Sequence, residues 1–109
     1  MKEKISSYMG FAAKSRNLVN GYNTCLFTMN KRKIKLMIIA VDLSENSAEK
    51  IVRAAETRGV TYRRYGTVDE LSQMTGNTGV GIYGITDQNF ANVILKEIDE
   101  SGSVEKEVF

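Results

Sequence analysis

Apolar and polar positions alternate along this chain with two periods, and the period switches several times. Ile5, Tyr8, Met9, Ala12 and Ala13 recur at i, i+3, i+4, i+7 and i+8, which predicts an amphipathic helix with one core-facing stripe. Lys14-Ser15-Arg16-Asn17 ends it. Leu18-Val19 predicts a brief strand, and Asn20-Gly21 is a turn signal. Helical spacing returns at Tyr22, Cys25, Leu26 and Met29, giving a second helix over 22–30. The unbroken apolar run Leu36-Met37-Ile38-Ile39-Ala40-Val41 predicts a strand buried on both faces, as in a parallel sheet covered by helices.

After a loop, Asn46 is placed to cap a third helix, with Glu49 at its third position in a capping-box arrangement. Ala48, Ile51, Val52 and Ala55 form its buried stripe, and Gly59 sits where a left-handed residue ends it. Residues 60–65, rich in Thr and Tyr, predict the next strand. Thr67-Val68-Asp69-Glu70 is a second capping box and opens a short helix through Leu71 and Met74. Residues 79–85 predict another strand, with glycines that point to a close approach by another backbone. Thr86-Asp87 caps a final helix carrying Phe90, Ile94 and Ile98 on one face. Strands alternating with helices predict an α/β fold, a three-layer α/β/α sandwich around a small mixed sheet. The domain is expected over 1–99, with 100–109 an acidic, flexible tail.

Composition narrows the chemistry. The chain has 109 residues, no histidine and one cysteine, Cys25. Ser-His and Cys-His catalysis, His-ligated metals, internal disulfides and cysteine-built zinc sites all drop out. No phosphate-binding glycine motif of the nucleotide-binding kind occurs, no apolar run approaches a membrane span, and no signal peptide is evident. The expectation is a cytoplasmic, non-catalytic protein without cofactor or metal. Cys25 reads as a packed side chain.

Charge changes the picture most. Residues 1–35 carry eight Lys/Arg against the single acid Glu3, whereas the rest carries seven bases and twelve acids. A basic first third suggests a surface that meets phosphate. Within it, Gly21 turns the chain into the second helix, whose first turn offers free N–H groups and a positive dipole end. Asn23 adds an amide able to donate to and accept from a base edge. Lys14 and Arg16 precede this turn, and Lys31, Arg32, Lys33 and Lys35 follow the helix. An ordinary Asn-Gly turn beside a solvated lysine patch explains the same residues equally well on sequence alone.

Several pieces in order resemble the ribosomal protein L-seven-Ae superfamily, which also contains the thirty-e large-subunit protein, and within it the small bacterial YlxQ-type members. These are Gly10-Phe11-Ala12-Ala13-Lys14-Ser15-Arg16-Asn17-Leu18-Val19, Gly21-Tyr22-Asn23, Lys35-Leu36-Met37-Ile38-Ile39-Ala40-Val41-Asp42, Ser44-Glu45-Asn46-Ser47 and Ile85-Thr86-Asp87-Gln88-Asn89-Phe90-Ala91. The resemblance spans nearly all the chain except the tail. It implies binding of a kink-turn or a similar structured RNA loop. The glycine-led helix start would lie against the guanines of sheared G·A pairs, and a second loop, residues 66–73, would pack on a flipped-out base. By that correspondence Gly21, Asn23, Lys31 and the loop 66–73 carry over; joined with the helix start and the basic residues read from charge, the expected RNA-binding residues are Lys14, Arg16, Gly21, Tyr22, Asn23, Thr24, Lys31, Arg32, Lys33, Gly66, Thr67, Ser72 and Gln73. The expected partners are structured RNA, kink-turn or ribosomal, and the ribosome, with the protein a monomer.

Three departures from the family pattern stand out. Thr24 occupies the family's Glu position, Phe27 a Lys position, and Leu71-Ser72-Gln73 stands where relatives carry Leu-Gly-Arg. Each lost charge-assisted contact removes roughly 1.5–3 kcal/mol. Thr24 and Phe27 therefore favour the alternative, a protein-interaction module on the same scaffold with weak, non-specific RNA affinity.

Overall fold

The computed structural model describes residues 3–107, and side chains for residues 4–101. Nine elements follow in order: α1 (Glu3–Lys14), β1 (Leu18–Asn20), α2 (Tyr22–Asn30), β2 (Leu36–Ile39), α3 (Glu45–Thr57), β3 (Tyr62–Arg64), α4 (Val68–Thr75), β4 (Ile82–Ile85) and α5 (Gln88–Glu107). The helices form two layers around the four strands, as the alternation predicts.

The strands form one sheet in the order β1-β4-β2-β3. Of the paired neighbours only β2 and β3 are parallel; β4 is antiparallel to both β2 and β1, so β1, β2 and β3 share one direction. The apolar run thus lies inside a mixed sheet and is flanked on both sides. Successive side chains of β2 point to opposite faces. Leu36 and Ile38, with Tyr83 and Ile85 of β4, meet Ile5 and Met9 of α1, Leu71 of α4 and Ile94 and Ile98 of α5. Met37 and Ile39, with Ile82, meet Cys25 and Met29 of α2 and Ile51 and Ala55 of α3. Each fully buried aliphatic side chain in these layers contributes about 1.5–3 kcal/mol.

Local signals set most boundaries. The α4 capping box forms as expected, with the Thr67 hydroxyl accepting from the Glu70 N–H and the Glu70 carboxylate from the Thr67 N–H. Asp87 accepts from the Phe90 N–H and opens α5. One expectation is corrected: the cap of α3 is Ser44, whose hydroxyl accepts from the Ser47 N–H, so the helix starts before Asn46. The final helix runs Gln88–Glu107. Arg63 binds Asp99 through two N–H donors at 2.7 and 3.1 Å and joins β3 to α5.

Gly84 of β4 and Gly81 just before it are approached by side chains rather than by another backbone. A Cβ at Gly84 would lie 2.5 Å from Ile34 Cδ1 and 3.2 Å from Val19 Cγ2; one at Gly81 would lie 2.8 Å from Val68 Cγ2. Gly84 therefore leaves the space that Ile34 fills between β4 and α2. Gly84→Ala is expected to destabilise the protein by about 1–3 kcal/mol through overpacking, and the added Ile34→Val, which removes Cδ1, to restore most of it; urea denaturation of the three variants checks this.

Cys25 is fully buried, and burial pushes its thiol up from 9.0 to about 12. The folded state thus keeps the neutral form, and its contribution to stability is intact below pH 9 and lost as pH rises towards 12. Thiol-reagent labelling at pH 8 is expected to be very slow in buffer and rapid in urea. Equally rapid labelling in buffer would contradict this burial.

Candidate nucleic-acid interface

Strand direction decides which candidate residues can meet. β1, β2 and β3 all end at one edge of the sheet, where β4 begins. There the Gly21 N–H donates to Ile82 O, the Ala40 N–H to Gly81 O and the Val41 N–H to Gly66 O. The helices that follow these strands, α2, α3 and α4, therefore start at this edge; α2 and α3 run away from it, whereas the loop after α4 lies back beside Gly21. We term it the helix-start end; at the opposite end α1, α2 and α3 finish and α5 begins.

At the helix-start end, Gly21 precedes α2 with φ 88° and ψ 154°, a conformation open essentially only to glycine. No side chain caps this helix, and its first turn has no acid. The first-turn N–H groups of Tyr22, Asn23 and Thr24 thus face outward with the positive end of the dipole. Asn23 and Thr24 are exposed.

The loop over residues 76–80 lies beside them. Asn20 Nδ2 lies 3.5 Å from Asn77 Oδ1, and Asn77 Nδ2 donates to Thr75 Oγ1 at 2.9 Å. The Thr75 hydroxyl lies 3.2 Å from that of buried Tyr83. Ser72 braces the loop from beneath: its hydroxyl donates to Val80 O and accepts from the Val80 N–H, both at 3.1 Å. Sequence reasoning missed Asn77. Its signal was the string Gly76-Asn77-Thr78-Gly79, which was partly absorbed into the predicted strand.

The expected second loop sits differently. Gly66 closes β3, three strands from Gly21, or roughly 14 Å at the usual strand spacing. Thr67 and Glu70 satisfy the α4 start, and Asp42 Oδ1 takes the Val68 N–H at 2.8 Å. That helix start is thus already filled by carboxylates. Ser72 is buried and Gln73 exposed on α4.

The basic residues gather at the opposite end. Lys14 ends α1 and Arg16 follows it; Lys31, Arg32 and Lys33 follow α2; all are exposed. The nine residues of α2, about 13 Å of helix, separate them from Gly21. Lys31 Nζ lies 4.5 Å from the centre of the exposed Phe27 ring, on the outer face of α2. Arg16 and Arg32 share an unusual backbone, with φ of 62° and 59°. Each ends its helix in paired bonds: Asn17 N–H to Ala12 O with Arg16 N–H to Ala13 O, and Lys33 N–H to Thr28 O with Arg32 N–H to Met29 O. Glycine normally fills that left-handed position. Among the described residues, no group of three or more His, Cys, Asp or Glu is placed to hold a metal ion, and no helix is long and apolar enough to cross a membrane.

Residues 3–95 match the family model described as the Ribosomal protein L7Ae/L30e/S12e/Gadd45 family. The chain is 25% identical over 91 residues to the RNA-binding protein YlxQ of Bacillus subtilis, covering 84% of this chain and 91% of that protein. It is 26% identical over 90 residues to the protein of the same name from Enterococcus faecium, covering 83% and 86%. Among solved structures, a protein of unknown function from Bacillus halodurans superposes with a TM-score of 0.86 at 20% identity, covering 90% of this chain and 99% of that one. A Giardia lamblia 15.5kD RNA binding protein does so with a TM-score of 0.72 at 20% identity, covering 94% and 92%. Those two likenesses speak to the fold.

Arg16→Gly and Arg32→Gly are each expected to leave stability unchanged or raise it by up to about 1 kcal/mol, because glycine takes the left-handed backbone without strain; thermal denaturation decides it, and a clear loss of stability would mean that these side chains hold the fold.

Proposed function

Because the chain belongs to the Ribosomal protein L7Ae/L30e/S12e/Gadd45 family, we propose that it is a non-catalytic RNA-binding protein that recognises a kink-turn or similar structured loop through its helix-start end. The relatives named above as RNA-binding proteins support the partner class. The observation that carries the site is the uncapped first turn of α2 behind Gly21, with Asn23 exposed beside it. Such a turn presents backbone donors and a positive dipole end to an electron-rich edge.

In this reading the N–H groups of Tyr22, Asn23 and Thr24 and the Asn23 amide meet base edges. Asn77, held against Asn20, takes the part expected of residues 66–73, since that segment's helix start is filled by Asp42 and Glu70 and its Ser72 is buried. Lys14, Arg16, Lys31, Arg32 and Lys33, at the far end, steer RNA towards the protein by long-range attraction without touching the bound loop or reading its sequence. Shape rather than a long sequence is what such a site recognises. The protein works in the cytoplasm on translation-linked RNA.

Titration of a labelled kink-turn RNA, alongside one with its G·A pairs replaced, is the test. Tight binding is expected only to the intact loop, and Asn23→Ala should cost about 1–3 kcal/mol there, as loss of one specific base contact does. Equal, weak, salt-sensitive binding of both RNAs would sink the kink-turn reading and leave the protein-interaction alternative to which Thr24 and exposed Phe27 point.

A further inference from the structure

The end of the sheet opposite Gly21 holds a cleft of about 720 Å³ between the finishing turns of α2 and α3, the starts of β2 and β3, and the first turn of α5. Arg32, Lys35 and Arg58 line it together with Asn30, Thr61 and Gln88, and no carboxylate does. Lys31 and Lys33 border it in sequence, as do the acids Glu56 and Asp87.

Arg58 is the organised member. Its Nε donates to Asn30 Oδ1 at 2.6 Å and its Nη1 to Ala54 O at 3.0 Å, so neutral partners fix the guanidinium across from α3 to α2. No carboxylate is its hydrogen-bond partner there, and a guanidinium has further N–H donors to offer. Arg32 stands in the left-handed backbone that glycine would adopt more readily. Among the described residues, the salt bridge found is Arg63–Asp99, on a different part of the surface. Helix dipoles account for part of this charge, since each helix C-terminus carries roughly −0.5 of a charge. Two such ends, those of α2 and α3, call for about one cation in total and the bordering Glu56 and Asp87 for two more, against five Lys or Arg gathered around them. The surplus is the feature that a structural role leaves unexplained.

We propose that this cleft is a second, separate RNA site, which binds the phosphodiester backbone of a single-stranded segment. Charge without carboxylates selects phosphate, and the lining includes no aromatic ring on which a base could stack, so binding is indifferent to sequence. A concavity of this volume suits a single strand better than the convex, wide surface of a duplex. The site rests on the RNA-binding reading above and extends it. One RNA contact at Gly21 and another here lie at opposite ends of α2, about 13 Å apart along its axis. The protein would thus hold a structured loop at one end and an unpaired flank, or a second RNA, at the other.

Fluorescence anisotropy of a labelled twelve-residue oligouridylate, titrated with the full chain at several salt concentrations, tests this. Wild type and Asn23→Ala should bind alike. Lys35→Glu/Arg58→Gln should weaken binding at least about tenfold and flatten the slope of log affinity against log salt by about 1.4, the value for two lost phosphate contacts on a single strand. Lys35→Glu alone, at an exposed position, should show about half that change in slope and guards against a folding defect in the double variant. Saturating unlabelled short kink-turn RNA should leave the oligouridylate bound. The proposal is overturned if wild type does not bind the oligouridylate, if neither variant alters its binding, or if the kink-turn RNA displaces it completely. Inorganic pyrophosphate competing as well as the oligouridylate would also overturn it, by assigning the cleft to a free phosphate compound. Loss of discrimination between intact and G·A-replaced RNAs, with these results unchanged, would count against the helix-start site and in favour of this one.

Discussion

A strand of four residues without a polar face governs this molecule. Leu36, Met37, Ile38 and Ile39 are all at most 1% exposed, so β2 needs apolar cover above and below as well as a bonded strand on either side. That requirement produces two helical layers and places β4 and β3 next to it. Once β1, β2 and β3 all finish at the same edge, the helices after them must start there. The separation of free helix N–H groups from basic helix ends is therefore a consequence of strand direction, not of any one side chain. Tight packing at Gly84 and Gly81 holds β4 in register with this frame.

How much of this was legible depends on the range of the forces involved. The extent of α2 could be read because Asn20-Gly21 and the Tyr22, Cys25, Met29 stripe are local signals. The Thr67–Glu70 capping box and the Asp87 cap are likewise local. Ser44 is obscured because Asn46 with Glu49 offers an equally good cap pattern two residues further on, inside the same helix. Strand order was not legible, since the pairing of β4 with both β1 and β2 joins residues more than 40 positions apart. For the candidate site, Gly21 and Asn23 could be found from the turn and the helix that follows. The basic residues looked adjacent to them because nine helical residues are short in sequence yet long in space. Asn77 is harder to read, because the Gly76-Asn77-Thr78-Gly79 string signals only a turn and the contact that places Asn77 beside Gly21 is with Asn20, 57 positions away.

The surface resulting from this arrangement divides labour between two kinds of attraction. Backbone donors and amides at the helix-start end are directional and short-ranged, and they discriminate by fit. Lysines and arginines at the far end act over a Debye length, about 8 Å at physiological ionic strength, and discriminate little. An encounter guided by the second can be completed by the first. The basic end also helps the fold, because cations there offset the negative ends of the helices that they follow.

Ser72 gives the helix-start end one more property. Its buried hydroxyl bonds the Val80 backbone in both directions, and Asn77 is tied to Thr75. The loop over 76–80 is thus already held in shape without a ligand. A partner that docks on it extracts little conformational entropy from the protein. The ordering cost of complex formation then falls on the partner, and the heat and heat-capacity changes of association report mainly how far that RNA must rearrange to fit.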